Sequence, residues 1–237
     1  MNRTTQQLFH LTHQKFIMAQ HTYPGHCLVG DTETTKRKVK NEVVRQLRQE
    51  RGPDPGAESW LLLFQGKYQP GYWIILLAKK NAALEAIDEE LRYVWLECCG
   101  HLSAFTIYGE DYQSSPDSEI GEKGMNVRLE KLFSVGLTGE YIYDYGDSTY
   151  LTFKVLDLVP YAPAGGRSVE LVAQNDPPDI RCSACGKLAT VICLECLYES
   201  PEDAYLCDDC FAEHECDEDM SLPVVNSPRM GQCAYTG

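Results

Sequence analysis

The chain has 237 residues, of which 43% are hydrophobic and 24% charged. This is room for one or two domains with a real core, and the balance excludes wholesale disorder. The formal net charge is −14, and residues 176–220 hold 13 Asp+Glu against 2 Lys+Arg, so that segment is a poor partner for a phosphate backbone.

No apolar run approaches the ~18–20 residues that a membrane span needs. The opening residues, MNRTTQQLFHLTHQ, lack an apolar signal core of ~7–15 residues. Both features predict a cytoplasmic protein with no membrane partner.

Residues 1–56 read as an N-terminal extension. Thr34 or Thr35 can cap a helix through TKRKVKNEVVRQLRQER, with Val39, Val43, Val44 and Leu47 on one stripe. The run Gly52-Pro53-Asp54-Pro55-Gly56 stops it. The helix is basic, through Lys36, Arg37, Lys38, Lys40, Arg45 and Arg48. Such a helix packs on the main domain with a solvated face, or offers a surface to nucleic acid or an acidic partner. His10, His13, His21 and His26, next to Cys27, fit no closed zinc pattern and read as surface or packing histidines.

Residues 57–175 read as the main domain. Two strands, about 60–65 and 72–78, flank a Gln69-Pro70-Gly71 turn. A long helix is expected from about Lys80 or Asn81 to Cys99. Leu84, Ile87, Leu91, Val94, Trp95 and Cys98 lie on one face, and Gly100 is its stop. A strand at 103–108 precedes the polar loop QSSPDSEIGEKG, and a hairpin of 138–145 with 148–158 turns at Gly146-Asp147. A last strand spans Ser168 to Ala173, and residues 174–178 read as a linker. The predicted fold class is α+β: a curved, mostly antiparallel sheet packed on one long helix, plus a small C-terminal zinc-binding module.

The strings QPGYW, WLECCGHLSAF and YIYDYGD together resemble the plasmid pRiA-four-b ORF-three-like domain family, sometimes labelled transposon-passenger or resolvase-like. The resemblance covers roughly residues 58–175. It implies the α+β fold and a mobile-element setting, with no established biochemical role. Many members of that family place Arg after the hairpin Trp, whereas Trp73 is followed here by Ile74 and Ile75. A serine recombinase needs an activated Ser within an Arg-rich site, and residues 58–175 show no such constellation. The tail LPVVNSPRMGQCAYTG is similar to that of a zinc-bearing subgroup.

Residues 176–237 carry the chemistry. Eight of the eleven cysteines lie between Cys182 and Cys233. Cys182/Cys185, Cys193/Cys196 and Cys207/Cys210 are Cys-x-x-Cys pairs, followed by His214 and Cys216. A Cys-x-x-Cys turn presents two thiolates to one metal with little strain, so eight ligands suffice for two tetrahedral zinc ions. The gaps resemble a cross-braced, B-box-like finger. Cys182/Cys185 would then share one ion with Cys207/Cys210, and Cys193/Cys196 the other with His214/Cys216. Sequential pairing is the alternative, and Cys233 is a ninth candidate ligand or a buried thiol. Two closed tetrahedra leave no position for substrate and are structural.

Elsewhere the chemistry is sparser. Cys98-Cys99-Gly100-His101 sits at the expected helix C-terminus, where the dipole disfavours a thiolate, so the turn reads as structural. His101, Tyr143, Asp144 and Asp147 mark the place for a pocket, with the two carboxylates equally suited to holding a tight turn. The residues therefore point to a non-enzymatic, zinc-binding interaction protein with a protein partner. The alternatives are a nucleic-acid-binding protein of a mobile element, and a small enzyme centred on His101, Asp144 and Asp147.

Overall fold

The centre of the molecule follows from two runs that are apolar at nearly every position. Strand β3 (Ser59–Gly66) and strand β4 (Trp73–Lys79) pair antiparallel, with Trp60 opposite Ala78 and Phe64 opposite Ile74. In β4, Ile74, Leu76 and Ala78 face one core, and Trp73, Ile75 and Leu77 face another. A strand apolar on both sides must be covered on both sides. The computed structural model, which describes residues 24–237, supplies both covers.

Among the described residues the sheet has ten strands. In chain order they are β1 (Pro24–Cys27), β2 (Thr32–Thr35), β3, β4, β5 (Ser103–Ile107), β6 (Glu110–Gln113), β7 (Lys123–Gly124), β8 (Thr138–Tyr143), β9 (Thr149–Val159) and β10 (Val169–Asn175). Their spatial order is β2-β1-β10-β4-β3-β9-β8-β5-β6-β7. Every pairing is antiparallel except β6 with β7. The large antiparallel sheet expected from the sequence is therefore present. The hairpin at Gly146-Asp147 is β8–β9, with Tyr141 opposite Leu151. Tyr108 and Gly109, both at positive φ, form the tight turn between β5 and β6.

The single long helix is not present. Helix α1 (Val39–Glu50) packs Val39, Val43 and Leu47 on one sheet face, against Leu61, Trp73, Ile75 and Leu77. Helix α2 (Leu84–Leu91) packs Leu84, Ile87 and Leu91 on the other. It continues as one π-helical turn, Arg92–Leu96, that buries Trp95 and Leu96 side by side. The expected helix face stops there because Glu97 turns extended, at ψ 126. Beneath that turn, Asp88 accepts hydrogen bonds from Ser103 Oγ (2.6 Å) and Tyr141 OH (2.7 Å), and pairs with Arg92 at 2.7 Å.

Two expected boundaries also shift. The N-terminal extension of residues 1–56 is not separate where it is described: β1 pairs with β10 in the main sheet, and α1 covers it. Residues 174–178 are not a free linker, because β10 runs to Asn175, which is fully buried. Its side-chain carbonyl accepts from the Trp73 N–H at 2.8 Å, and its amide donates to Asn226 Oδ1 at 2.7 Å.

The C-terminal module has a three-stranded sheet, β12-β11-β13, from β11 (Val191–Cys193), β12 (Tyr205–Leu206) and β13 (Ser221–Pro223). Two short helices, α3 (Leu194–Glu199) and α4 (Asp208–Phe211), follow Cys193 and Cys207. After β13 the chain leaves the module and runs back across the main sheet. Ser227 Oγ donates to the Trp95 carbonyl at 2.7 Å, while Met230 packs with Ile192 and Leu197 of the module. The tail is thus a wedge between the two units. No described helix is long and apolar enough to cross a membrane.

Candidate metal centre

The module's ligands are placed by its turns. Cys182 opens a tight turn in which Gly186 N donates to the Cys182 carbonyl at 2.9 Å, with Gly186 at φ +75. Cys193 caps α3, and its sulfur accepts from Cys196 N at 3.5 Å. Cys207 occupies the same position ahead of α4. Each Cys-x-x-Cys therefore bends its second thiol back beside its first.

The eight ligands fall into two groups, Cys182/Cys185/Cys207/Cys210 and Cys193/Cys196/His214/Cys216, each with all ligand atoms within 4.8 Å of one another. Cys185 and Cys207 sulfurs are 3.6 Å apart, and Cys196 and Cys216 sulfurs 3.8 Å. The His214 Nε2 stands 3.3 Å from Cys196 Sγ. Ideal tetrahedral zinc, with Zn–S of about 2.3 Å, places its sulfurs about 3.8 Å apart. The donor sets fit that ion in both spacing and softness. These are interleaved pairs, so the sets follow the cross-braced arrangement rather than the sequential one.

The thiols also show what a cation would relieve there. Burial opposes ionisation of Cys182, but backbone N–H groups of Cys207, Cys185 and Ala184 outweigh it and bring the thiol down to about 6. Neighbouring sulfurs, led by Cys185, push Cys210 up to about 12. Burial, with Cys193 and Cys196 beside it, pushes Cys216 up to about 12. One thiolate in a group opposes the next, and a divalent ion removes that opposition. Little else holds the module together: its buried apolar residues are few, chiefly Leu206 in one cluster and Ile192, Leu197 and Ala204 in the other.

A third group lies outside the module. Cys98, Cys99, His101 and Cys233 bring their ligand atoms within 4.8 Å of one another. Three groups of described residues can thus hold a metal ion. In the sequence Cys233 reads as a spare ligand for the module and Cys98 to His101 as a structural turn. Their meeting depends on the returning tail, which no local spacing announces.

The tail also decides the fate of the expected pocket. Arg229, with no exposed surface, pairs with Asp144 at 2.9 Å and stacks its guanidinium 4.8 Å from the Tyr143 ring centre. It donates as well to the Asp147 carbonyl (3.0 Å) and to Thr149 Oγ1 (3.1 Å). Burial works against the Asp144 carboxylate, yet the hydrogen bonds from Arg229 and from turn N–H groups hold it below the ordinary range. Asp144 sits at φ +65 and accepts from Gly146 N at 2.9 Å, as a turn aspartate does. Asp147 Oδ2 accepts from Cys233 N at 3.1 Å. His101 lies 3.5 Å from Asp144 and edge-on to Tyr143. His101, Tyr143, Asp144 and Asp147 do come together, with the tail lying over them. The sequence gives no sign of Arg229's role, since a lone Arg in a tail carries no local signal of burial.

The remaining histidine and helix expectations divide. His26 bonds Asp176 at 2.6 Å, while His10, His13 and His21 lie outside the described residues. Of the basic residues expected on that helix, Lys36 lies in the turn ahead of α1 and donates to the Pro70 carbonyl, while on α1 Lys40 pairs with Asp157 at 2.9 Å and Arg45 pairs with Glu42. Arg37, Lys38 and Arg48 are exposed.

No family model and no curated protein matches the chain. Among solved structures it is similar to the crystal structure of MM3350, a protein of unknown function from Methanosarcina mazei Go1, at 16% identity and a TM-score of 0.42. That match spans 50% of this chain and 69% of the other.

Proposed function

We propose that the chain is a cytoplasmic, non-enzymatic, zinc-binding interaction protein whose acidic C-terminal module engages a protein partner. The observation that carries this reading is the pair of interleaved four-ligand sets, Cys182/Cys185/Cys207/Cys210 and Cys193/Cys196/His214/Cys216. Zinc, when bound, supplies a structural cross-link there and no open position for substrate. The charge of the module supports a protein partner over nucleic acid. Its two basic residues are already paired, Arg181 with Asp179 at 2.6 Å and Lys187 with Asp209 at 2.8 Å. The exposed acids are left to face a basic surface on the partner.

The enzyme alternative is weakened by the tail, since Arg229 and Cys233 occupy the hydrogen-bonding positions of Asp144 and Asp147. Membership of the plasmid ORF-three-like family, and a mobile-element setting, rest on the three sequence strings alone.

The test is fluorescence anisotropy of the zinc-loaded chain against short duplex DNA and single-stranded RNA, across ~50–200 mM salt. The expected result is no binding at any salt. Tight binding with a steep salt slope overturns the reading and makes Arg37, Lys38 and Arg48 the functional surface. In parallel, proteins retained by the immobilised loaded chain should be lost when Cys182 and Cys193 are both changed to Ser. Retention unchanged by those substitutions also overturns it.

A further inference from the structure

The third group differs from the other two in its origin. Cys98, Cys99 and His101 come from the turn after α2, and Cys233 comes from the tail, 132 positions beyond His101. The turn is fixed by Glu97 Oε1, which accepts from Gly100 N at 2.6 Å. Cys233 is held at φ +52, a conformation that a non-glycine residue adopts only under constraint. That backbone, anchored by Asp147 Oδ2 on its N–H, aims the sulfur at the turn.

The distances match a coordination tetrahedron. Cys99 Sγ and Cys233 Sγ are 3.8 Å apart, and His101 Nε2 is 3.4 Å from Cys233 Sγ. Zn–S of about 2.3 Å and Zn–N of about 2.0 Å imply edges of about 3.8 Å and 3.5 Å. A disulfide would need about 2.0 Å between sulfurs. An outer shell is in place as well: the buried Arg229 donates to Cys98 Sγ at 3.4 Å and offsets the negative charge that three thiolates leave on a divalent ion.

We propose that Cys98, Cys99, His101 and Cys233 form a third, closed site for a zinc-like divalent ion, and that this ion pins the C-terminal tail to the main domain. The inference goes beyond the function proposed above, which concerns the module alone. Three sulfurs and one imidazole select a borderline-soft ion over magnesium or calcium. All four positions are filled by protein, so the ion is structural. Cys99 and Cys233 are both exposed, which gives this ion a direct path to solvent.

The experiment is cobalt(II) titration of the reduced, metal-free full chain, read by the visible absorption of tetrahedral thiolate-bound cobalt. Zinc content after reloading and dialysis is measured alongside. The unmodified chain should saturate at three equivalents. His101→Ala and Cys99→Ser should each saturate at two, with hydrogen exchange of residues 229–235 accelerated at least tenfold. Cys182→Ser should also lose one equivalent, but without that change in the tail, which separates this site from the module's. A chain that saturates at two equivalents, or variants of His101 and Cys99 that still bind three, overturns the proposal. So does a metal-free Cys99–Cys233 disulfide in the protein as isolated from cells under thiol-trapping conditions.

Discussion

Arg229 and Asp144 lie 85 positions apart in the chain and meet at 2.9 Å, with the guanidinium wholly buried. The pair fastens the tail to the β8–β9 turn. A buried pair gives little net stability over an apolar substitute, but breaking it leaves an uncompensated charge. Arg229→Met should therefore destabilise the folded chain by about 3–5 kcal/mol. Asp144→Asn keeps a hydrogen-bond acceptor but leaves the buried guanidinium without its counter-charge, so it should fall at the lower end of that range. Urea unfolding of the two variants checks the order.

The polar cluster under α2 makes a second expectation. Asp88 receives Ser103, Tyr141 and Arg92 within the core. Asp88→Ala strands all three donors and should cost about 3–5 kcal/mol. Tyr141→Phe removes one donor only and should cost about 1–3 kcal/mol. Thermal unfolding of the pair measures the difference.

Metal removal should divide the molecule. The three tryptophans, Trp60, Trp73 and Trp95, are all buried in the main domain. Chelation should leave their emission near its native maximum while amide protection is lost across residues 180–223, because a module with so few buried apolar residues should not fold without the ions proposed for it. Loss of native tryptophan emission at the same chelator concentration would show the two units to be one cooperative body.

A milder effect is expected near neutral pH. The hydrogen bond that the His26 ring donates to Asp176 raises the His26 pKa above its ordinary value. A raised folded-state pKa stabilises below the unfolded value, near 6.5, and that gain is lost as pH rises through the folded value. Both groups are partly hydrated, so the gain is under about 1 kcal/mol. His26→Ala should lower stability at pH 6 and change nothing at pH 8.5. NMR titration of the His26 ring locates the midpoint.

The parts legible in the sequence were those governed by local spacing. Cys-x-x-Cys pairs declare their turns, and the gaps between them match the grouping found. β3 and β4 are visible because each holds an unbroken apolar run, Trp60–Phe64 in one and Trp73–Ala78 in the other. β1 and β2 were not, since four-residue strands such as Thr32–Thr35 carry no period. The helix expected to reach Cys99 ends at Leu96, where the π turn breaks the 3.6-residue pattern. Cys98, Cys99, His101 and Cys233 could not be grouped in advance, because only the returning tail sets their proximity.

Among the described residues the ten-stranded sheet ends at β2 and β7, one of four residues reading TETT and the other of two residues, Lys123 and Gly124. A wide sheet with long apolar margins would recruit further chains by backbone pairing. Here the apolar strands are all interior, and each margin offers a short, hydrophilic template. Edge-to-edge polymerisation is thereby disfavoured at both ends, in a chain whose central strands would aggregate readily if they were uncovered.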